Sequence, residues 1–292
     1  MTTSRAGSAI TAMWARDNPV SSSDDDQGRG FAPAAPDRLA AYAEAGELRE
    51  VYLAAPWPVH EGPWARWFGE ACEALHGVGV ELSVLGGDAA WLQQPALVAQ
   101  WLADARAAGE FDRVHLEVEP WQVPGWSGDK SGAMRGYLTV LDVARSAAGP
   151  LPVDVTAPWW LAHEPFTDDG DAAHPAQSAV EPAGTTMLDA LLAGADRVSI
   201  LAHANHADGP RGILTLADHA VGAAVAAGRP FTIGVETATP TGTADAKLTF
   251  FDEGPVALLR EAAVVHHALT DRPGYLGVAV ADHRGWRRLL GV

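Results

Sequence analysis

One segment near the middle of the chain reads Phe111-Asp112-Arg113-Val114-His115-Leu116-Glu117-Val118-Glu119-Pro120-Trp121. Apolar and polar side chains alternate through this segment, as they do along a β-strand whose two faces differ. Its valine and leucine side chains suit packing against helices, which leaves His115, Glu117 and Glu119 together on the opposite face. The segment therefore predicts a strand that presents three ionisable groups on one side.

The same kind of unit repeats along the whole chain: a short β-rich run, a loop and an Ala/Leu-rich amphipathic stretch. The predicted strands are Ala9–Trp14, Glu50–Ala55, Val80–Leu85, Arg113–Val118, Pro152–Ala157, Arg197–Leu201, Phe231–Val235 and Tyr275–Val280. The predicted helices are Asp37–Leu48, Trp64–His76, Pro95–Ala108, Ser131–Ala147, Thr185–Ala193, Leu214–Ala227, Pro255–Leu269 and Arg284–Leu290. Eight alternating units favour a parallel sheet closed into a (β/α)8 (TIM) barrel, as a single domain over residues 1–292. An open doubly wound sheet is the alternative, although no Gly-rich nucleotide-binding loop follows the first strand.

Composition narrows the range of partners. The 292 residues are 48% hydrophobic and carry a formal net charge of -17. That charge argues against binding to nucleic acid or an anionic membrane and favours neutral or cationic ligands. Residues 1–8 are predicted to be a flexible N-terminus, and they lack an apolar signal-peptide core, so we expect a cytoplasmic protein. The sequence predicts no oligomeric state. Cys72 is expected to be a small core residue.

Three of the predicted strand-to-helix loops are long, namely Asn18–Ala35, Pro158–Gly184 and Thr237–Glu253. In a (β/α)8 barrel these loops gather at the C-terminal ends of the strands, where such enzymes place their active sites. Long loops therefore predict a working pocket at that face. The alternative interpretation is that these long loops are surface features that form no pocket.

Glu117 and Glu119 are the leading candidates for acid–base chemistry. Two carboxylates two residues apart on one strand face lie about 7 Å apart at the backbone. Like charges at this spacing push one pKa upward, and a carboxyl with a raised pKa can act as a general acid. A purely structural network of buried polar groups is the alternative.

The quoted segment resembles the signature of chitinase-like family 18 glycoside hydrolases, whose fourth strand runs F-D-G-(I/V)-D-L-D-W-E-Y-P. Phe111, Asp112, Leu116 and Glu119 match it directly, and Glu117 replaces an Asp. The sixth strand, 198–203, is similar to the family's V-x-(L/I)-M-x-Y run. The resemblance implies that Glu119 protonates the leaving-group oxygen and that Glu117 tunes and positions it.

The chain also departs from the family pattern, and three of the departures bear on the mechanism. His115 replaces the family's first Asp, and His203 stands where a Tyr normally helps the acetamide of the substrate to attack. The last strand ends in Ala281-Asp282-His283 and lacks the family's Trp. These departures remove groups that a substrate-assisted mechanism uses.

Glu236 offers a second route, because it ends the predicted seventh strand on the inward face. A carboxylate there, opposite Glu119, resembles the two-carboxylate barrel glycosidases. Carboxyl groups about 5–5.5 Å apart would suit a retaining double displacement, and about 6.5–9.5 Å would suit an inverting attack by water. A supporting role as the partner of Lys247 or Arg16 is the alternative.

Histidines near the predicted strand ends raise the question of a metal, but no tight ligand motif such as H-E-x-x-H is present. We predict no metal and no cofactor. His203 is instead predicted to be neutral and to donate or accept a hydrogen bond at the substrate or a carboxylate.

Six of the 11 Trp residues fall at or just beyond predicted strand ends, and flat aromatic faces stack on sugar rings or stabilise cations. The predicted catalytic residues are Glu119, Glu117, Glu236 and His203. The predicted substrate-binding residues are Trp14, Arg16, Trp57, His115, Trp121, Trp159, Trp160, His206 and Asp282.

The leading hypothesis is a glycoside hydrolase-like enzyme that acts on a carbohydrate or another glycoside. The second is a lyase, isomerase or cyclase that performs acid–base chemistry on a small cyclic metabolite with the same scaffold. The third is a non-catalytic sugar-binding barrel, against which the retained Glu119 counts.

Overall fold

The computed structural model describes residues 8–19, 30–57, 62–167, 185–240 and 246–292. Within them, eight parallel strands pair in chain order, and the eighth pairs with the first to close a barrel. The strands are β1 (Ile10–Ala15), β2 (Glu50–Ala54), β3 (Glu81–Gly86), β4 (Arg113–Leu116), β5 (Val153–Pro158), β6 (Val198–Leu201), β7 (Phe231–Glu236) and β8 (Tyr275–Ala281). The predicted flexible N-terminus lies outside the described residues apart from Ser8.

A helix follows each strand along the chain. The helices are α1 (Pro36–Ala45), α2 (Gly62–Gly77), α3 (Ala96–Ala108), α4 (Lys130–Ala148), α5 (Met187–Gly194), α6 (Ile213–Ala226), α7 (Gly254–Leu269) and α8 (His283–Leu290). The predicted (β/α)8 barrel is therefore confirmed. The largest difference in element bounds is at the end of α1, which stops before Leu48 because Glu47 has a positive φ of 52°.

The two ends of the barrel differ in the length of their connections. Helix-to-strand connections are short, as in 78–80 between α2 and β3 or 195–197 between α5 and β6. The strand-to-helix connections are much longer after β1 (16–35), β5 (159–186) and β7 (237–253). This asymmetry was predicted, and it leaves room for a cavity at the C-terminal ends of the strands.

Polar side chains fill the N-terminal part of the barrel interior. Arg113 donates to both oxygens of Asp154 at 2.6 Å, and both residues are buried. Further along the interior, the hydroxyl group of Ser199 hydrogen-bonds to Tyr52 at 3.2 Å and to Thr232 at 2.9 Å. Because buried polar groups are costly unless they are hydrogen-bonded, these partners allow a polar interior to remain folded.

Apolar side chains close the interior above this polar zone. They form a small buried cluster of Ala12, Trp14, Tyr52, Ala54, Leu85, Leu201, Ala279 and Ala281. A much larger apolar core lies between the outer face of the strands and the helices. Cys72 belongs to it, as predicted, and burial raises the pKa of its thiol to about 12. None of the described helices combines the length and apolar character needed to cross a membrane.

The seam between β8 and β1 depends on Gly277. This glycine has a φ of 130°, and the strand pairing shifts register between Ile10 and Ala12 opposite it. A Cβ atom at position 277 would lie 2.2 Å from Oγ1 of Thr11, whose hydroxyl donates to the carbonyl oxygen of Leu276. Both the backbone conformation and the available space therefore require glycine.

We expect Gly277→Ala to lower the free energy of unfolding by about 2–4 kcal/mol, since it adds backbone strain to a steric overlap. Gly222→Ala is the matched control. It makes the same change on the exposed face of α6, where a Cβ atom meets nothing within 4 Å. The control should be neutral or stabilising by up to about 1 kcal/mol. Urea denaturation compares the two variants, and an unchanged midpoint for Gly277→Ala would contradict the account of the seam.

Candidate active site

A cavity of about 520 Å³ opens at the C-terminal ends of the strands. Contributions come from the ends of β1, β2, β3, β4, β6, β7 and β8. Its lining residues are Arg16, Ala54, Ala55, Pro56, Trp57, Leu85, Gly86, Gly87, Asp88, Trp91, Trp101, Glu117, Glu119, Gln122, Leu201, His203, Glu236 and Ala281. All four residues predicted to be catalytic are in this set, together with Arg16 and Trp57 from the predicted substrate-binding set.

Arg16 and Glu117 form a two-point ion pair at the centre of the cavity. Nε of Arg16 donates to Oε2 of Glu117 at 3.1 Å, and Nη2 donates to Oε1 at 2.6 Å. Burial alone lowers the pKa of Arg16, but attraction to Glu117, and more weakly to Asp282 and Glu236, raises it overall. Arg16 therefore stays charged and fixes the orientation of the Glu117 carboxylate.

β4 ends at Leu116, which corrects the predicted end at Val118, and Glu119 lies beyond the strand. Pro120 has no backbone N–H to offer a neighbouring strand, and it opens a short 3-10 turn that Glu119 precedes. The carboxyl group of Glu119 still faces the cavity. Oε1 accepts a hydrogen bond from Nε1 of Trp121 at 3.3 Å. Burial raises the pKa of Glu119, the negative charge of Glu117 adds to the rise, and the bond from Trp121 opposes it.

Glu236 is held at the end of β7 by the backbone that follows it. Oε1 accepts hydrogen bonds from the backbone N–H groups of Thr237 and Ala238, both at 2.7 Å. Burial raises the pKa of Glu236, and these two N–H groups oppose the rise. Of the two predicted partners, Arg16 interacts with Glu236 electrostatically.

His203 lies just beyond β6 in the cavity wall. Burial lowers its pKa to about 4, and the positive charge of Arg16 contributes to the shift. The imidazole is therefore neutral at neutral pH, as predicted from the sequence. Its Nε2 atom is buried and has no hydrogen-bond partner within the described part of the chain. A ligand in the cavity could supply that partner.

Two predicted substrate-binding residues, Trp14 and His115, lie beneath the cavity. Trp14 is 0% exposed and His115 is 1% exposed. Their rings pack edge to face, with centroids 6.1 Å apart, and Nε2 of His115 is 2.7 Å from the hydroxyl of Thr156. Neither residue lines the cavity, because neighbouring side chains in the barrel interior cover both rings. The predicted direct contact with a substrate is therefore corrected.

The remaining predicted binding residues lie around the cavity. Trp121 packs edge to face against Trp126 and Trp160, and Trp159 packs against His163. These rings are not part of the cavity lining, so their stacking on a substrate stays a prediction for a ligand that extends beyond it.

His206 and Asp282 are engaged locally. Nδ1 of His206 is 3.0 Å from Oδ1 of Asn205, and Asp282 caps α8 by accepting from the backbone N–H of Gly285. Neither residue lines the cavity, so their contact with a substrate also stays a prediction. Asp282 acts on the site electrostatically: it attracts Arg16, and its charge raises the pKa of Glu236. Among the described residues, no group of three or more His, Cys, Asp or Glu side chains could hold a metal ion.

Sequence reasoning missed the contribution of β3. Gly86, Gly87 and Asp88 line the cavity, and Gly87 approaches β4 so closely that a Cβ atom would lie 2.1 Å from the carbonyl oxygen of Glu117. The signal was a Gly-Gly-Asp triplet directly after a predicted strand, where glycines often mark close backbone approach. Trp91 and Trp101 were missed because both lie in helical segments: Trp91 in a short 3-10 helix between β3 and α3, and Trp101 in α3.

No family model matches the sequence, and no curated protein matches it. A mutant family 18 chitinase from Cycas revoluta, in complex with (GlcNAc)4, matches with a TM-score of 0.54 at 11% identity, covering 96% of this chain and 97% of that chain. The spore cortex-lytic enzyme SleL from Bacillus cereus matches with a TM-score of 0.50 at 12% identity, covering 97% and 74%. A Toxoplasma gondii protein provisionally assigned as a deoxyribose-phosphate aldolase matches with a TM-score of 0.52 at 11% identity, covering 97% and 93%. These likenesses show the barrel fold alone.

The hydrogen bond from Trp121 leads to a prediction about the pKa of Glu119. The indole N–H stabilises the ionised carboxylate, so we expect Trp121→Phe to raise the pKa of Glu119 further, by roughly 0.5 to 1 pH unit. Trp126→Phe is the matched control, because it truncates a ring of the same cluster that has no bond to the carboxyl group in the described structure. Infrared titration in the carbonyl region, with Glu119→Gln to assign the band, measures both variants. Equal shifts in the two variants would assign the effect to packing alone.

Proposed function

We propose that this protein is a glycoside hydrolase-like enzyme that uses Glu119 as its general acid. The observation that carries the proposal is the meeting of Glu117 and Glu119, which follow β4, with Glu236 from β7 in one cavity at the C-terminal ends of the strands. Two carboxyl groups on opposite sides of a glycosidic bond are the chemical requirement for its hydrolysis in most such enzymes.

Glu119 is suited to the acid role. Its raised pKa keeps a larger fraction of the carboxyl protonated near neutral pH than in an exposed glutamate. It would donate this proton to the leaving-group oxygen as the bond from that oxygen to the anomeric carbon breaks. Glu117 cannot swing away to relieve the repulsion, because Arg16 holds both of its oxygens.

Glu236 would complete the displacement. Its Oε1 is held by two backbone N–H groups, which leaves Oε2 to act on the substrate. It would either attack the anomeric carbon, with water later releasing the sugar, or remove a proton from an attacking water molecule. The separation of the Glu119 and Glu236 carboxyl groups in the substrate complex decides between these retaining and inverting outcomes.

A second candidate is an isomerase that removes a proton from the carbon next to a carbonyl group and returns it at another position. The observation that favours it is the neutral imidazole of His203 in the same cavity as Glu236. A carboxylate base and a neutral histidine that polarises a carbonyl oxygen form an efficient pair for this chemistry. Incorporation of solvent deuterium into a small cyclic ketose or lactone, without hydrolysis of any glycoside, would favour this candidate.

The test of the glycosidase proposal is Glu119→Gln on a panel of aryl glycosides and N-acetylhexosaminides that includes poor leaving groups. We expect turnover of the poor leaving groups to fall by about a hundredfold or more, because they need protonation in the transition state. Activated leaving groups should lose less. Glu70→Gln, an exposed change of the same type on α2, serves as the control and should retain activity. Equal turnover by Glu119→Gln and the wild type on every substrate would remove Glu119 from the acid role.

A further inference from the structure

The cavity carries an excess of negative charge. Its lining contains four carboxylates, those of Asp88, Glu117, Glu119 and Glu236, and Arg16 is its single Lys or Arg residue among those the structure describes. With every group ionised, three negative charges are left without a cation. Protonation of Glu119 for catalysis would still leave two negative charges without a cation. A neutral His203 adds no positive charge to this balance.

The positive charge of Arg16 already faces three carboxylates, which weakens its attraction for an anionic group of a ligand. Its Nε and Nη2 atoms are both engaged with Glu117, and the attraction of Glu236 and Asp282 acts on the same guanidinium. A phosphate or carboxylate on the substrate would have to share the guanidinium with Glu117, which already holds its Nε and Nη2 atoms. It would also face the charges of Glu236 and Asp88 at close range, which is unfavourable in a partly buried site.

Two of the carboxylates have only backbone partners in the described structure. Oε1 of Glu236 accepts from two backbone N–H groups, and Oδ1 of Asp88 accepts from the backbone N–H of Ala90 at 2.8 Å. These bonds orient the carboxylates without neutralising them. Burial raises the pKa of Glu236, and the two backbone N–H groups and the positive charge of Arg16 oppose that rise.

Other lining groups indicate an occupant with a ring and hydrogen-bonding groups. Nε2 of His203 is buried without a partner among the described residues, and it lines the cavity. Trp57 is half-buried in the wall, and its indole N–H donates to Asp104 at 3.0 Å, which fixes the ring. Leu85 and Leu201 supply apolar surface at the base. Aromatic faces bind both sugar rings and cations.

We propose that the cavity selects a glycoside whose sugar ring carries a protonated amine, over its neutral N-acetylated or hydroxyl counterparts and over acidic sugars. The inference rests on the proposed function for the glycosidic part of the ligand. The ammonium group would be attracted to Glu236 and Asp88, while Arg16 and Glu117 remain paired with each other.

Binding, measured separately from turnover, tests this inference. The probes are four aryl glycosides: the 2-amino sugar, its N-acetyl form and its 2-hydroxyl form, which differ only at C2, and the uronic acid, which differs from the 2-hydroxyl form at C6. Isothermal titration calorimetry at a pH at which the amine is protonated should show about tenfold or tighter binding of the amine than of either neutral form. The acid should bind most weakly, and the preference should shrink at high salt, which screens charge.

Asp88→Asn locates the effect, with Asp271→Asn as its control. Both variants remove one negative charge from an exposed position, but Asp271 lies in the connection between α7 and β8, at the other end of the barrel. Asp88→Asn should weaken binding of the amine about threefold or more and leave binding of the neutral forms unchanged. Asp271→Asn should preserve the preference.

The outcomes separate the two proposals. Equal or tighter binding of a neutral or acidic form overturns the amine inference, whatever is hydrolysed. Preferential binding of the amine without hydrolysis of any probe supports charge selection and counts against the glycosidase proposal alone. A preference that survives Asp88→Asn and is lost in Asp271→Asn would also overturn the inference, because the charge would then act from outside the cavity.

Discussion

Closure of the barrel through the pairing of β8 with β1 is the constraint on which the rest of the structure depends. Once the sheet closes, every second side chain must point into an interior that water does not fill freely. The Arg113–Asp154 pair and the hydroxyl groups around Ser199 occupy the N-terminal part, and Trp14 and Leu85 lie above them. The cavity begins only where this packed column ends.

The electrostatics of the cavity follow from the same closure. Arg16 follows β1 and Glu117 follows β4, so they approach each other across the barrel and not along one strand. The negative charge of Glu117 helps to raise the pKa of Glu119, and the positive charge of Arg16 opposes that rise. The pKa of Glu119 therefore depends in part on an arginine about a hundred residues away in sequence, which no local pattern around Glu119 reveals.

The geometry agrees with the resemblance to family 18 chitinases at some residues and differs from it at others. Glu119 occupies the rim of a cavity, which suits the acid that the motif implies. His115, which replaces the family's first Asp, is buried against Thr156 below the cavity and does not line it. A neutral His203 in the wall adds a hydrogen-bonding group where the family has a Tyr hydroxyl, but with different proton chemistry.

The sequence by itself determined the eight repeated units, the inward face of β4 and the gathering of Glu117, Glu119, Glu236 and His203, because alternation along a strand and the strand order of a barrel are local rules. Only the tertiary structure decided which aromatic rings meet the cavity. Of the predicted substrate-binding tryptophans only Trp57 lines it, since the depth of a ring depends on its neighbours from other strands. The pairing of Arg16 with Glu117 and the close approach of Gly87 to β4 were likewise beyond the sequence, because both arise between units that are distant along the chain.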